Sequence, residues 1–111
     1  PVKEQGSHDV ELPSHMGDAE YLRLLSENLE KLKNSFFPDL IFYVAGVDVY
    51  RDDALGGLQL SFEGIAARDA AVRDFLPEVP RVVLPAGGYA RNIADTVELH
   101  AQTIKILHRR Q

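Results

Sequence analysis

The stretch "VVLPAGGYARN", residues 82–92, runs as an apolar segment into Gly87-Gly88 and then places Tyr89. Paired glycines forfeit packing and lose extra backbone entropy on folding, so a chain keeps them where something must approach the backbone closely. A similar break occurs in "LIFYVAGVD", where Ala45-Gly46 ends an apolar run and Asp48 follows. As isolated residues, both have structural readings. Asp48 suits a strand-to-loop turn whose backbone N–H groups satisfy it, and Tyr89 suits a half-buried ring whose hydroxyl finds a partner. Gly87-Gly88 suits a tight turn or a phosphate cradle at the start of the following helix. Asp52-Asp53 suits a hard-cation site, although adjacent loop carboxylates are commonly just solvated. His8, His15, His100 and His108 show no metal-ligand spacing with one another. His100 lies close to an apolar helical stripe and reads as a hydrogen-bonded structural residue.

The elements that must position these residues follow from periodicity. Leu22, Leu25, Leu29, Leu32 and Phe36 form one helical stripe, which predicts a helix from Asp18, as N-cap, to Phe36, stopped by Pro38. "LIFYVAG" does not alternate and predicts a strand buried on both faces. After a loop, Ser61 is the expected cap of a second helix running to about Leu76, ended by Pro77 and Pro80. "RVVLPA" predicts a second buried strand. Asn92 is the expected cap of a last helix, with Ile93, Val97, Ile104 and Leu107 toward the core. Strand–helix–strand with non-alternating strands implies a parallel pair joined by a crossover. Ligands in such α/β sheets bind beyond the carboxyl ends of the strands. Neighbouring strands would bring Asp48 and Tyr89 out on the same edge.

The chain of 111 residues fits one domain, 1–111. Its formal net charge of -5 lacks the basic footprint of a nucleic-acid binder. It has no cysteine, hence no disulfide framework or thiolate chemistry, which suits a cytoplasmic protein. Leu40 to Val47 is too short an apolar run to span a bilayer.

"PDLIFYVAGVDVYRDDALGGLQLSFEGIAARD" followed by "PRVVLPAGGYARNIADTVELH" resembles the carboxyl-terminal part of the zinc-dependent histone deacetylase family, bacterial deacetylase-like and acetoin-utilisation members above all. The earlier "VELPSHMGDAEYLRLL" extends the resemblance to about Val10–Ile106. Three motifs occur in order: "LPxxxGDxEYL", "AGxDxxxxDxLG" and "GGY". The resemblance implies a three-layer parallel-sheet α/β fold of arginase/deacetylase type, present as a helix–strand–helix–strand–helix portion. It implies that Asp48 is a zinc ligand and that Tyr89 hydrogen-bonds the amide carbonyl and stabilises the oxyanion. It implies that Gly87 and Gly88 line a narrow acyl-lysine tunnel walled by Leu55. A glutamate at the Leu55 position marks polyamine-selective relatives, so Leu55 speaks against a polyamine substrate. The chemistry is consistent: zinc activates a water near neutral pH, and a phenol O–H stabilises the developing charge by ~2.7–4 kcal/mol.

The upstream Asp-x-His pair and His-His pair of the family do not occur in this sequence. A catalytic zinc takes three protein ligands. The chain alone is therefore expected to be inactive, to hold zinc weakly or not at all, and to need the missing N-terminal part of the domain. Its open strand edges are expected to self-associate. The expected substrate of the parent enzyme is an acylated lysine or a small acyl-amine. The alternatives are an acetylpolyamine amidohydrolase with the same chemistry, and a stand-alone α/β interaction module without catalysis.

Overall fold

The computed structural model describes residues 6–108. The expected domain span of 1–111 also includes 1–5 and 109–111, which lie outside the described residues. Three helices and two strands alternate: α1 (Asp18–Ser35), β1 (Ile41–Gly46), α2 (Phe62–Asp74), β2 (Arg81–Ala86) and α3 (Ile93–His108). β1 and β2 pair in parallel, from Ile41 opposite Arg81 to Gly46 opposite Ala86. Element order and parallel pairing are as the sequence predicts. No helix among the described residues is long and apolar enough to cross a membrane.

Helix starts show how the chain reads its own local signals. Ser61 caps α2 as expected, its Oγ accepting the Gly64 N–H at 3.0 Å. The Asn92 side chain accepts the Ala94 N–H at 3.1 Å at the start of α3. Asp18 departs from expectation. Gly17 is the N-cap of α1 and offers no side chain, while Asp18 is the first helical residue. Its carboxylate reaches instead to the start of α2, accepting the Ser61 N–H at 2.9 Å and the Ser61 hydroxyl. A Cβ on Gly64 would collide with that carboxylate, which explains a glycine inside α2. The "GD" of the first motif thus joins α1 to α2.

The core sits under the loop that follows β1, not under the sheet. Val47, Tyr50, Leu60, Ile65 and Leu99 are buried together. Tyr50 stacks edge-on against Phe62 at 5.3 Å and donates its hydroxyl to Asp95 at 3.0 Å. The expectation of strands buried on both faces is corrected. Phe42 and Val44 are each 62% exposed, and their parallel partners Val82 and Leu84 are also exposed. Only the opposite face, with Tyr43 and Ala45, is covered. The expected inward face of α3 is corrected too. Ile93, Val97 and Ile104 are exposed and Leu107 is half-buried, while Leu99 and Thr103 face inward. The reason is polar as well as apolar: Thr103 donates to the buried Asp69 of α2 at 2.6 Å.

Asp69 anchors a buried network. It accepts from Tyr43 of β1 at 2.6 Å and from Arg68 Nε at 3.0 Å, and Arg68 Nη2 lies 2.9 Å from the same carboxylate. Arg68 Nη1 donates to the carbonyl of Gly46, the last residue of β1. Burial pushes the Tyr43 hydroxyl well above its ordinary range, and the bond to Asp69 pushes the same way. β1, α2 and α3 are thereby locked at the end of the strand from which Asp48 emerges.

Candidate functional site

The strand register fixes where the candidate residues emerge. Gly46 and Ala86 are opposite one another, and the ladder continues one step further with Val47 N–H donating to Gly87 O at 2.8 Å. Asp48 and Tyr89 therefore leave the same carboxyl edge, from adjacent strands. Asp48 is exposed, and no described residue hydrogen-bonds or ion-pairs with its carboxylate. A Cβ on Gly87 would stand 3.8 Å from that carboxylate, in ordinary van der Waals contact, so Gly87 borders Asp48 directly. Tyr89 is 60% exposed and its hydroxyl has no partner among the described residues.

Gly88 serves packing. Its missing side chain makes room for Val47 and for Thr96 and His100 of α3, the Val47 contact being within clash distance of any Cβ. His100 is half-buried there, beside Gly88, and has no hydrogen-bond partner for its ring among the described residues, contrary to expectation. Leu55 is 74% exposed on the loop after β1. It is joined to Tyr89 through its neighbours: Ala54 N–H donates to Tyr89 O at 2.8 Å, and Arg91 N–H donates to Asp52 O at 3.0 Å. Asp48, Leu55, Gly87 and Tyr89 thus border one edge.

Two further residues complete the edge: Gly56, to which the sequence assigns no role of its own, and Asp53, which the sequence offers only as half of the Asp52-Asp53 pair. Gly56 packs so tightly over Asp48 that a Cβ would overlap the Asp48 carbonyl oxygen. Asp53 is buried at 4% exposure, with its carboxylate surrounded by backbone N–H groups. The reading of Asp52-Asp53 as two solvated carboxylates or a cation pair holds for Asp52 only in its exposure, and fails for Asp53. Among the described residues no group of three or more His, Cys, Asp or Glu is placed to hold a metal. His8 bonds Asn28 at 2.8 Å, and His15 lies 3.3 Å from the Gln59 amide, each engaged away from Asp48.

Comparison with known proteins bears on this arrangement. The family model described as "Histone deacetylase domain" matches residues 3–104. The chain is 44% identical to Histone deacetylase 2 of Arabidopsis thaliana over 95 residues, covering 80% of this chain and 24% of that protein. It is 37% identical over 109 residues to an uncharacterized protein of Picosynechococcus sp., covering 96% and 35%. The crystal structure of an HDAC homolog complexed with SAHA superposes with a TM-score of 0.66 at 26% identity, over 83% of this chain and 25% of that one. The chain spans about a quarter to a third of the length of the relatives it matches.

Proposed function

This chain belongs to the histone deacetylase family, and on that premise we propose that it forms the C-terminal part of the active site of a zinc-dependent deacetylase acting on acyl-lysine amides. The observation that carries the proposal is the shared strand edge, where the Asp48 carboxylate and the Tyr89 phenol stand exposed and unpartnered on neighbouring strand exits.

Asp48 fits a metal ligand: a hard oxygen donor at the edge, free of hydrogen bonds among the described residues. The remaining ligands would come from outside these residues, since three are needed and no such cluster lies within them. When bound, zinc supplies an activated water near neutral pH. The chain's own part is to orient and to stabilise. Tyr89 donates its hydroxyl to the amide oxygen as charge develops there. Gly87 leaves the approach to that oxygen open beside Asp48, and Gly88 contributes backbone only. Leu55 offers an apolar wall to a lysine's methylene stem. That apolar wall favours acyl-lysine over an acylated polyamine, whose charged amines would gain from an acidic group. A cytoplasmic setting, suggested by the absence of cysteine, belongs to the same proposal.

The test is steady-state kinetics with metal analysis on the intact zinc-loaded enzyme, against acylated lysines and acylated polyamines. Tyr89→Phe is expected to lower kcat by about 10²–10³-fold with normal zinc content. Asp48→Asn is expected to lose metal affinity and activity together. Full kcat in Tyr89→Phe would make the ring structural. Faster turnover of polyamines than of lysines would move the substrate assignment.

A further inference from the structure

Asp53 has a geometry that the zinc-and-tyrosine scheme does not use. Its Oδ1 accepts the N–H groups of Leu55 at 2.8 Å and Gly56 at 2.9 Å. Its Oδ2 accepts the N–H of Tyr89, across a separation of 36 residues. The carboxylate itself is buried, at 4% exposure, although the residues that donate to it are partly open to solvent. Backbone bonds flank the carboxylate on both sides: Asp53 N–H donates to Tyr50 O at 3.0 Å, and Ala54 N–H to Tyr89 O at 2.8 Å. One carboxylate therefore joins three candidate-site elements. These are the Leu55 wall, the Gly56 backbone pressed on the Asp48 carbonyl, and the root of Tyr89.

We infer that Asp53 is a positioning residue for Tyr89, holding the phenol at a fixed place relative to Leu55 and Asp48. The inference rests on the oxyanion role proposed for Tyr89. Tyr89 is exposed and its ring has little packing to orient it. Its backbone is what the protein can fix, and the Asp53 carboxylate fixes it at the amide. Misplacement of a reacting group by about 1 Å costs on the order of 10²-fold in rate, so a phenol on a loosened root loses most of its effect.

Asp53→Asn is the informative substitution. Its remaining carbonyl oxygen can keep the Leu55 and Gly56 amides, and its amide nitrogen then meets the Tyr89 N–H, donor against donor. The wall stays and the tyrosine root is released. In the intact zinc-loaded enzyme we expect kcat to fall by about 10²-fold with KM within about threefold. In a Tyr89→Phe background the same substitution should cost less than about threefold more, because both act through one group. An unchanged kcat, or effects that multiply in full, would overturn the inference. Amide exchange by NMR gives a second readout that needs no turnover. In the unsubstituted protein the Tyr89 amide should exchange as slowly as those of Leu55 and Gly56, and in Asp53→Asn it alone should accelerate. A Tyr89 amide exchanging at open-loop rate in the unsubstituted protein would also overturn the inference, whether or not Asp53→Asn folds. If Tyr89→Phe keeps full kcat, the oxyanion role falls separately, and the exchange data still decide whether the clamp exists.

Discussion

The space where Gly56 would carry a Cβ is occupied by the carbonyl oxygen of Asp48. Gly56 cannot simply retreat, because its N–H is held by Asp53 Oδ1 at 2.9 Å. Gly56→Ala must therefore push Asp48 or break the Asp53 bond. We expect a loss of about 1–3 kcal/mol of stability, as for other overpacked positions, together with weaker metal binding in the intact enzyme. Gly57→Ala is the control. Its Cβ meets only Ser14 Oγ at 3.7 Å, an ordinary contact. Chemical denaturation of both variants checks this, and equal stabilities would show that the Asp48 turn yields easily.

Asp69 supports the same edge from beneath. Its carboxylate is fully buried and takes hydrogen bonds from Tyr43, Arg68 and Thr103. Asp69→Ala leaves the buried Arg68 guanidinium without its counter-charge, which should cost about 3–5 kcal/mol. Thr103→Val removes one hydroxyl donor to the buried carboxylate and should cost about 1.5–3 kcal/mol by that loss alone. Denaturant midpoints separate the two. A Thr103→Val loss as large as that of Asp69→Ala would mean that α3 docking, not the ion pair, dominates.

The network also sets an alkaline limit. Tyr21 and Tyr43 are held above the ordinary phenol value of 10.0, chiefly by burial and against the lowering pull of Arg68. Above that value the unfolded phenols lose their protons while the folded ones keep them. Stability is therefore unaffected by these groups well below pH 10 and falls as pH rises through it. Each such phenol contributes up to about 1.4 kcal/mol per pH unit in that window. Tyr21→Phe should make the decline shallower. Stability measured by denaturant between about pH 9 and pH 11 tests this, and a flat profile would contradict it.

How far the sequence was legible depends on the distance over which each signal acts. Pro38, Pro77 and Pro80 punctuate the chain locally, and the strands and helices fall between them close to their expected limits. Ser61 and Asn92 cap by bonding amides two or three residues away, which is a readable pattern. Asp18 was not readable, because its partner Ser61 lies 43 residues off and the adjacent Gly17 took the cap position. Asp53 was hidden for the same reason: only folding brings the Tyr89 amide to it. The strands appeared doubly buried because an apolar, non-alternating run has the same look whichever face is covered. α3 carries apolar residues on two faces, and the one that packs is the face holding Thr103, which bonds Asp69. Asp48 and Tyr89 were legible as an edge pair because a parallel crossover puts both strand exits at one carboxyl edge, whereas the packing need for Gly88 comes from Val47 and α3 side chains that only folding brings to it.

The uncovered sheet face leads to the last expectation. Phe42, Val44, Val82 and Leu84 stand on one face of the parallel pair, all exposed, and each strand has one hydrogen-bonded neighbour among the described residues. Apolar side chains gain about 25 cal/mol per Å² when water leaves them, and unpaired strand edges recruit other strands. The 111-residue chain in isolation should therefore associate into species heavier than 12.4 kDa. Light scattering across a concentration series reads this directly. Phe42→Lys together with Val82→Lys places two charges at opposed positions of that face and should shift the population toward monomer, with helical circular dichroism retained because neither residue is buried. A monodisperse monomer of the unsubstituted chain, unfolding cooperatively, would show that two strands and three helices suffice alone, and would favour the stand-alone module over a portion of a larger deacetylase sheet.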